Sequence, residues 1–272
     1  MFMRKIFLFA ILLTAMIFTG CGGNTSDKGG GENAGAKKIV VGLDEEYPPM
    51  GFKNADNEFT GFDVDLAKAV AKKLGYKVEF RAIDWNSKEA ELKSGRIDVI
   101  WNGVDITSER KETMLFSDPY MDNRHIVFIR KGDEQNKNIT AETDLADKAV
   151  GTQAGSTAAA YITGNEALEH SFQDFKTYRD YISAFSDLEN GRIEVIVCDE
   201  IVGRYYMAKH PDKIDALNVI IGPTSQFAVA FAKENTALRD EVQKAFDEIV
   251  ADGTAKKISE EWFGENLIRI KN

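Results

Sequence analysis

Residues 92–110 read LKSGRIDVIWNGVDITSER and carry more structural information than any other stretch of the chain. The pattern predicts a helix that stops at Gly95, a short apolar strand over residues 97–101, and a break at residues 102–103. Asp105 then lies in the loop at the carboxyl end of this strand. In open α/β sheets that edge is where ligands bind. The stretch therefore predicts a binding site at its carboxyl end.

Arg110 follows within one turn of the next predicted helix, which Thr107 or Ser108 caps. A guanidinium group in this place can bind a carboxylate through two parallel hydrogen bonds. The alternative is a solvated charge at the surface of a helix end.

A second copy of the unit starts 96 residues later, because residues 188–196, LENGRIEVI, match residues 92–100, LKSGRIDVI, nearly residue for residue. After the second strand, Asp199 takes the position that Gly103 has in the first copy. Two such units predict two similar α/β lobes that face a shared ligand. One lobe offers the cation of Arg110 and the other the anion of Asp199, so a zwitterion fits between them.

The composition indicates a globular protein with a sizeable core, since 43% of the 272 residues are hydrophobic and 29% are charged. The formal net charge is −10. An acidic chain without a compensating basic patch argues against nucleic-acid partners.

The histidines and cysteines do not predict a metal site or a nucleophile. His125, His170 and His210 are far apart and lack metal-ligand spacing, so we interpret them as surface or satisfied core residues. Cys198 ends an apolar strand, which favours a small buried thiol. We therefore expect no metal and no cofactor.

The chain resembles the extracytoplasmic solute-binding proteins of ABC importers for polar amino acids. Seven motifs, in the family's order between residues 38 and 264, carry the resemblance: Asp44-x-x-Tyr47-Pro48-Pro49, Gly61-Phe62-Asp63-Val64-Asp65-Leu66, Gly95-Arg96-Ile97-Asp98, Ile106-Thr107-x-x-Arg110, Phe116-Ser117-x-x-Tyr120, Gly151-x-x-x-Gly155-Ser156-Thr157 and Trp262-Phe263-Gly264.

The resemblance implies an α/β fold of the two-lobed periplasmic-binding-protein type II, with mixed sheets and discontinuous lobes joined by two hinge strands. Lobe one would comprise residues 38–122 and 224–272, and lobe two residues 123–223. An amino acid would bind between the lobes, and the closed form would be presented to a membrane permease.

The resemblance also assigns roles to the polar residues of the two units. Arg110 would hold the ligand carboxylate together with the helix start at Ser156 and Thr157, for which a plain helix cap is the alternative. Asp199 would bind the ligand ammonium, helped by the carbonyl of Gly103. The alternatives for Asp199 are an ion pair with Arg204 or a helix cap.

The remaining candidates surround the ligand's side chain. Tyr47 and Trp85 match the two residues that sandwich it, although either aromatic ring has the alternative of being ordinary core. Asp44 and Gln153 would meet its distal end. Asp105 departs from the family, in which Ser or Thr is usual, so it either adds a second carboxylate near the ammonium or faces elsewhere.

The N-terminus has the features of a lipoprotein signal. Residues 1–20 start with a basic pair and continue with a 13-residue apolar run, which is short for a transmembrane helix. Cys21 follows and would become the lipidated first residue, and residues 21–37 would form a flexible linker. The expected location is the outer face of a bacterial cell membrane. An uncleaved anchor helix is the alternative.

The sequence thus predicts a monomeric binding protein that is not an enzyme and touches the membrane only through its lipid. Its ligand would be cystine, a basic amino acid or glutamine, and its partner an ABC permease. A cyclohexadienyl-dehydratase-like enzyme and an amino-acid sensor on the same fold are the alternatives.

Overall fold

The computed structural model describes residues 37–269. The strands in this range are β1 (Lys38–Leu43), β2 (Glu46–Tyr47), β3 (Gly51–Lys53), β4 (Phe59–Thr60), β5 (Lys77–Ala82), β6 (Val99–Asp105), β7 (Met114–Phe116), β8 (Met121–Asn123), β9 (His125–Arg130), β10 (Ala149–Gln153), β11 (Asp174–Tyr178), β12 (Val195–Asp199), β13 (Ile214–Ile220) and β14 (Ser225–Ala232). The helices are α1 (Phe62–Leu74), α2 (Lys88–Lys93), α3 (Ser108–Thr113), α4 (Thr157–Gly164), α5 (Glu166–Glu169), α6 (Tyr181–Glu189), α7 (Glu200–Lys209), α8 (Thr236–Ala251) and α9 (Thr254–Phe263).

Two mixed sheets organise this range. The first has the strand order β5-β1-β6-β14-β7, with β8 also paired to β14, and the second has the order β11-β10-β12-β9-β13. In each sheet three parallel strands are followed by an antiparallel one, β14 in the first sheet and β9 in the second. The predicted fold class, two α/β halves with mixed sheets, is confirmed.

The repeated sequence unit forms the same structure twice. Val99 pairs with Val41 in the first sheet, and Val195 pairs with Val150 in the second. The acidic residue of each unit fixes this register. The Asp98 carboxylate accepts a hydrogen bond from the N–H of Val40 at 2.7 Å, and Glu194 accepts one from the backbone of β10 at 3.0 Å. The two copies therefore match because each uses an acidic side chain to bind the backbone of the neighbouring strand.

The chain passes between the sheets twice. The first passage joins β8 to β9 around Arg124, and the second joins β13 to β14 over residues 221–224. The first sheet is consequently built from both ends of the described chain, whereas the second is built from one continuous segment.

Helices α1, α8 and α9 pack together on the first sheet. Phe62, Leu66 and Val70 recur at helical spacing on α1 and are buried. Trp262 on α9 donates a hydrogen bond from its indole N–H to the Asp65 carboxylate at 3.0 Å. These contacts give the first sheet a rigid support behind its ligand-facing edge.

The predicted strand break at residues 102–103 is wrong, because β6 continues to Asp105. Its antiparallel neighbour β14 pairs with it on both sides of Gly103, and a bulge in the pairing absorbs the glycine's φ of 59°. Asp105 is therefore the last residue of a strand and is held more firmly than a loop residue.

The predicted signal segment, Cys21 and the linker up to residue 36 lie outside the described residues. Within residues 37–269, no helix is both long and apolar enough to cross a membrane.

Candidate functional site

The carboxyl ends of β6 and β12 face each other across a small cavity between the two sheets. Nine of the ten predicted ligand-contacting residues line it: Tyr47, Trp85, Gly103, Asp105, Arg110, Gln153, Ser156, Thr157 and Asp199. The tenth, Asp44, is hydrogen-bonded to one of the nine. Residues far apart in the chain are thus brought together at one place.

Arg110 lies at the edge of this cavity on α3, where the Thr107 hydroxyl accepts a hydrogen bond from the Arg110 backbone N–H at 3.1 Å and so caps the helix. The guanidinium is 8% exposed and donates hydrogen bonds to the carbonyls of Asp105 and Gly155, both at 3.1 Å. The alternative of a solvated surface charge is therefore excluded.

The N-terminus of α4 lies next to Arg110, whose guanidinium binds the carbonyl of Gly155, two residues before α4 begins. Ser156 is its N-cap and accepts a hydrogen bond from the N–H of Ala159 at 3.0 Å. Gly155 precedes it with a φ of 70°, a conformation that glycine adopts without strain. The arrangement combines the positive end of a helix with the Arg110 cation, so this side of the cavity is suited to an anion.

Asp199 also lines the cavity, and its burial opposes its ionisation. Contacts with His125 at 3.2 Å and with the Asn123 amide at 2.6 Å, together with the Tyr47 hydroxyl, outweigh burial and lower the pKa of Asp199. The same pairing raises the pKa of His125 against the effect of its burial. Asp199 is thus held as a buried anion.

The alternatives for Asp199 are both wrong. Arg204 is bound to Glu200 at 2.7 Å instead, and the Asp199 side chain makes no capping hydrogen bond to α7.

Asp105 lines the cavity, and protein donors surround its carboxylate. One oxygen accepts hydrogen bonds from Asn123 at 3.0 Å and from Ser225 at 2.5 Å, and the other accepts one from Thr157 at 2.5 Å. The Asn123 amide therefore bridges the carboxylates of Asp105 and Asp199. Asp105 links strands of the first sheet to α4 of the second half.

His125 is the site residue that the sequence analysis missed. It is buried, and its Nε2 lies 3.1 Å from the Thr157 hydroxyl and 3.2 Å from Asp199. Possible metal-ligand atoms of Asp105, His125 and Asp199 lie within 4.8 Å of one another. Because the carboxylates are already hydrogen-bonded to Asn123, Ser225 and Thr157, the group forms a satisfied polar network. No short-range pattern in the sequence indicated this role, because His125 meets Asp199 only through the cross-strand pairing of β9 with β12.

Two parallel aromatic rings form the wall of the cavity. The centroids of Tyr47 and Trp85 are 6.3 Å apart, and the ring planes differ by 9°. Tyr181 packs on Tyr47 from the second half at 6.2 Å, and the Lys88 ammonium lies 4.9 Å from the Trp85 ring centre. Both rings are buried and belong to the hydrophobic core, and both also line the cavity. The two predicted alternatives, a ligand-contacting ring and a core ring, therefore both apply to Tyr47 and Trp85.

Asp44 and Gln153 meet across the two halves. The Gln153 amide donates a hydrogen bond to the Asp44 carboxylate at 2.6 Å and another to the carbonyl of Arg179 at 3.1 Å. Burial raises the pKa of Asp44 to about 6, although hydrogen bonds from Glu46 and Gln153 oppose the rise. This side of the cavity therefore carries a third carboxylate.

Asp63 holds the backbone of the cavity residue Gly103 in place, a role that the sequence analysis did not assign. Its carboxylate accepts hydrogen bonds from the Gly103 N–H at 2.8 Å and from the Tyr120 hydroxyl at 2.9 Å. Burial raises its pKa to about 7. The contact holds the Gly103 peptide in its unusual conformation beside the Tyr47 ring.

A larger open groove of about 850 Å³ lies on the side of the two chain passages. Three of its charged residues pair with one another, since Glu200 binds both Arg124 and Arg204. The smaller cavity has the convergent, buried charges of a binding site, and we therefore take it as the candidate site.

Comparisons with known proteins show which proteins this chain resembles. The family model of bacterial extracellular solute-binding proteins, family 3, matches residues 39–265. The ABC transporter arginine-binding protein 1 of Escherichia coli (strain K12) is 32% identical over 231 residues, which cover 84% of this chain and 91% of that protein. The L-cystine-binding protein TcyJ of the same organism is 32% identical over 231 residues, 85% of this chain and 84% of its own.

Among solved structures, an ABC uptake transporter substrate-binding protein from Streptococcus pneumoniae with bound histidine is 35% identical, with a TM-score of 0.79. The match covers 86% of this chain and 95% of that one.

Proposed function

The chain belongs to the bacterial extracellular solute-binding proteins of family 3, and from this membership we propose that it binds an amino acid between its two halves and delivers it to an ABC permease for import. The supporting observation is the pair Arg110 and Asp199, a buried cation and a buried anion that line one cavity. An α-amino acid presents the complementary charges, a carboxylate and an ammonium.

We assign residues 38–122 and 224–272 to lobe one and residues 123–223 to lobe two. The ligand docks on lobe one at Arg110 and between Tyr47 and Trp85. Lobe two then closes with Thr157 and Asp199. Because the ligand contacts both lobes, it favours the closed form, which the permease recognises.

The charges around the cavity favour a ligand with an extra amino or guanidinium group. Asp105 and Asp199 line the cavity together with Arg110, and Asp44 is hydrogen-bonded to the lining residue Gln153. The ligand carboxylate would itself occupy the Arg110 guanidinium. The parallel rings of Tyr47 and Trp85 suit a flat cation or a disulfide side chain. Relatives named for arginine and cystine fit this chemistry. We propose a basic amino acid or cystine, with glutamine as the second choice.

The matching family and relatives are solute-binding proteins and not enzymes. Catalysis on the same fold would need a free acid in the cleft, and the Asp105 carboxylate is already surrounded by three donors.

A thermal-shift panel of the twenty amino acids and cystine tests the proposal. Since a ligand that binds only the folded protein stabilises it by mass action, the preferred amino acid should raise Tm by several degrees at about 100 times its Kd. No shift with any of the 21 compounds at millimolar concentration would refute amino-acid binding.

Asp105→Thr tests ligand choice. Removing one carboxylate should weaken binding of a ligand with a second cationic group more than binding of a ligand whose only cation is the α-ammonium. The second cation loses an attraction that the other ligand never had. Calorimetry with L-arginine and L-glutamine at fixed pH and salt measures both losses. Equal losses would show that Asp105 does not determine which ligand binds. Its role would then be structural, the joining of Asn123, Ser225 and Thr157.

We further propose that Cys21 is lipidated after removal of residues 1–20 and that the anchor holds the protein on the outer face of the cell membrane. Cys21→Ala should then move the protein from the detergent phase to the aqueous phase of a Triton X-114 partition. Retention in the detergent phase would instead support residues 6–18 as an uncleaved anchor.

A further inference from the structure

Lys88 is a buried lysine between the two lobes that the binding mechanism does not use. It opens α2 in lobe one and is 4% exposed. Its amine donates hydrogen bonds to two backbone carbonyls, Trp85 of its own lobe at 3.1 Å and Gly155 of lobe two at 3.0 Å. Within residues 37–269, these two carbonyls are the hydrogen-bond partners of the Lys88 amine.

The contact lies at a tight junction between the lobes. A Cβ added to Gly155 would come within 3.0 Å of the Asn86 Cα, so the loop before α4 fits directly against the segment that carries Lys88. The Gly155 carbonyl also accepts the hydrogen bond from Arg110. One carbonyl of lobe two is therefore shared by two cationic side chains of lobe one.

We propose that Lys88 acts as a proton-coupled closure latch, whose amine loses its proton when the Gly155 loop closes over it, so that amino-acid binding releases a proton. This inference rests on the proposed function. A neutral amine has two N–H groups, which the two carbonyls satisfy, whereas an ammonium would bring a third N–H and a full charge into the closed junction.

The surrounding charges allow this proton loss. The pKa of Lys88 is lowered to about 7, mainly by burial and also by the nearby Arg110 guanidinium, whereas Glu89, Asp105 and Asp84 oppose the fall. The Trp85 ring also favours the charged form. Desolvation is the largest of these effects.

Opening withdraws the Gly155 loop and returns water to Lys88, so its pKa rises toward the ordinary value of 10.5. Closing therefore releases a proton between about pH 7 and pH 10, and affinity rises with pH in that window by at most about tenfold per unit. Below about pH 7, both forms keep the proton and this dependence disappears.

The experiment measures binding by calorimetry at pH 6, 7, 8 and 9 in buffers of different ionisation enthalpy. The probe is whichever of L-arginine, L-histidine, L-glutamine and L-cystine gives the largest thermal shift. The wild type is compared with Lys88→Met, with Lys88→Gln as a second neutral variant, and with Lys93→Met, which removes an exposed lysine from the same helix. Taking the ratio of wild type to variant cancels titration of the probe itself.

The association constant of the wild type, divided by that of Lys88→Met, should rise on the order of tens of fold from pH 7 to pH 9. At pH 8 the wild type should release about one proton more per bound ligand than either Lys88 variant. Lys93→Met should behave like the wild type. A flat ratio with equal proton release would overturn the latch while leaving amino-acid binding intact.

Absence of a thermal shift in the wild type with all 21 compounds of the panel would instead refute the proposed function. The proposal for Lys88 would then be refuted as well, because it concerns closure that a bound ligand drives.

Discussion

Arg110→Ala should weaken amino-acid binding by about 10²- to 10³-fold, the largest loss that we expect from a single substitution. The ligand carboxylate would lose a buried, hydrogen-bonded cation, and loss of one partner from such a pair costs roughly 3–5 kcal/mol. Isothermal titration calorimetry measures the change in Kd directly. The variant should remain folded, because the guanidinium lies at the cavity edge and not inside a hydrophobic cluster.

Lys111→Ala is the matched control for Arg110→Ala. Lys111 is the next residue of α3 and is exposed, so its removal changes the net charge equally without touching the cavity. It should leave Kd within a few-fold of the wild type. An Arg110→Ala protein that binds as well as this control would show that the carboxylate is held elsewhere.

Asp199→Ala should produce a loss of similar size, about 10²- to 10³-fold, because the ligand ammonium would lose its buried counter-charge. The substitution also leaves His125 without its partner, so the pKa of His125 should fall. Both changes are measurable, the first by calorimetry and the second by NMR titration of the imidazole.

Asp212→Asn serves as the control, since Asp212 is an exposed carboxylate of the same lobe. Asp199→Ala would fail as a test only if the protein unfolded, which circular dichroism reveals. In that case Asp199→Asn keeps the shape and removes the charge, and it should show the same order of loss. Binding by Asp199→Asn within a few-fold of the wild type would exclude Asp199 as the ammonium partner.

The fold was predictable because the helix–glycine–strand unit on which it is built is local in sequence and occurs twice. Each copy of the unit ends a helix with glycine, places an apolar strand and carries the acid that fixes the register, Asp98 or Glu194. Asp199 at the end of β12 and Arg110 on the helix that follows β6 were predicted from the same local pattern.

What the sequence could not predict depends on contacts between distant segments. The bulge at Gly103 arises from pairing with β14, which lies beyond the second sheet in the chain. His125 reaches Asp199 only through antiparallel pairing of β9 with β12. Lys88 looks like one more charge on a short helix until the Gly155 loop covers it. Short-range patterns carry no information about such neighbours.

The path of the chain through its two sheets also sets an order of assembly. Strands β9 to β13 are continuous in sequence, so the second sheet can be completed while the chain is still emerging. The first sheet cannot, because β14 must insert between β6 and β7 after the entire second lobe has been made. Until then β6 keeps an unpaired edge, which is a site for aggregation or chaperone binding during folding. Ser225 meets Asp105 only when β14 arrives, so the binding cavity is completed late in folding.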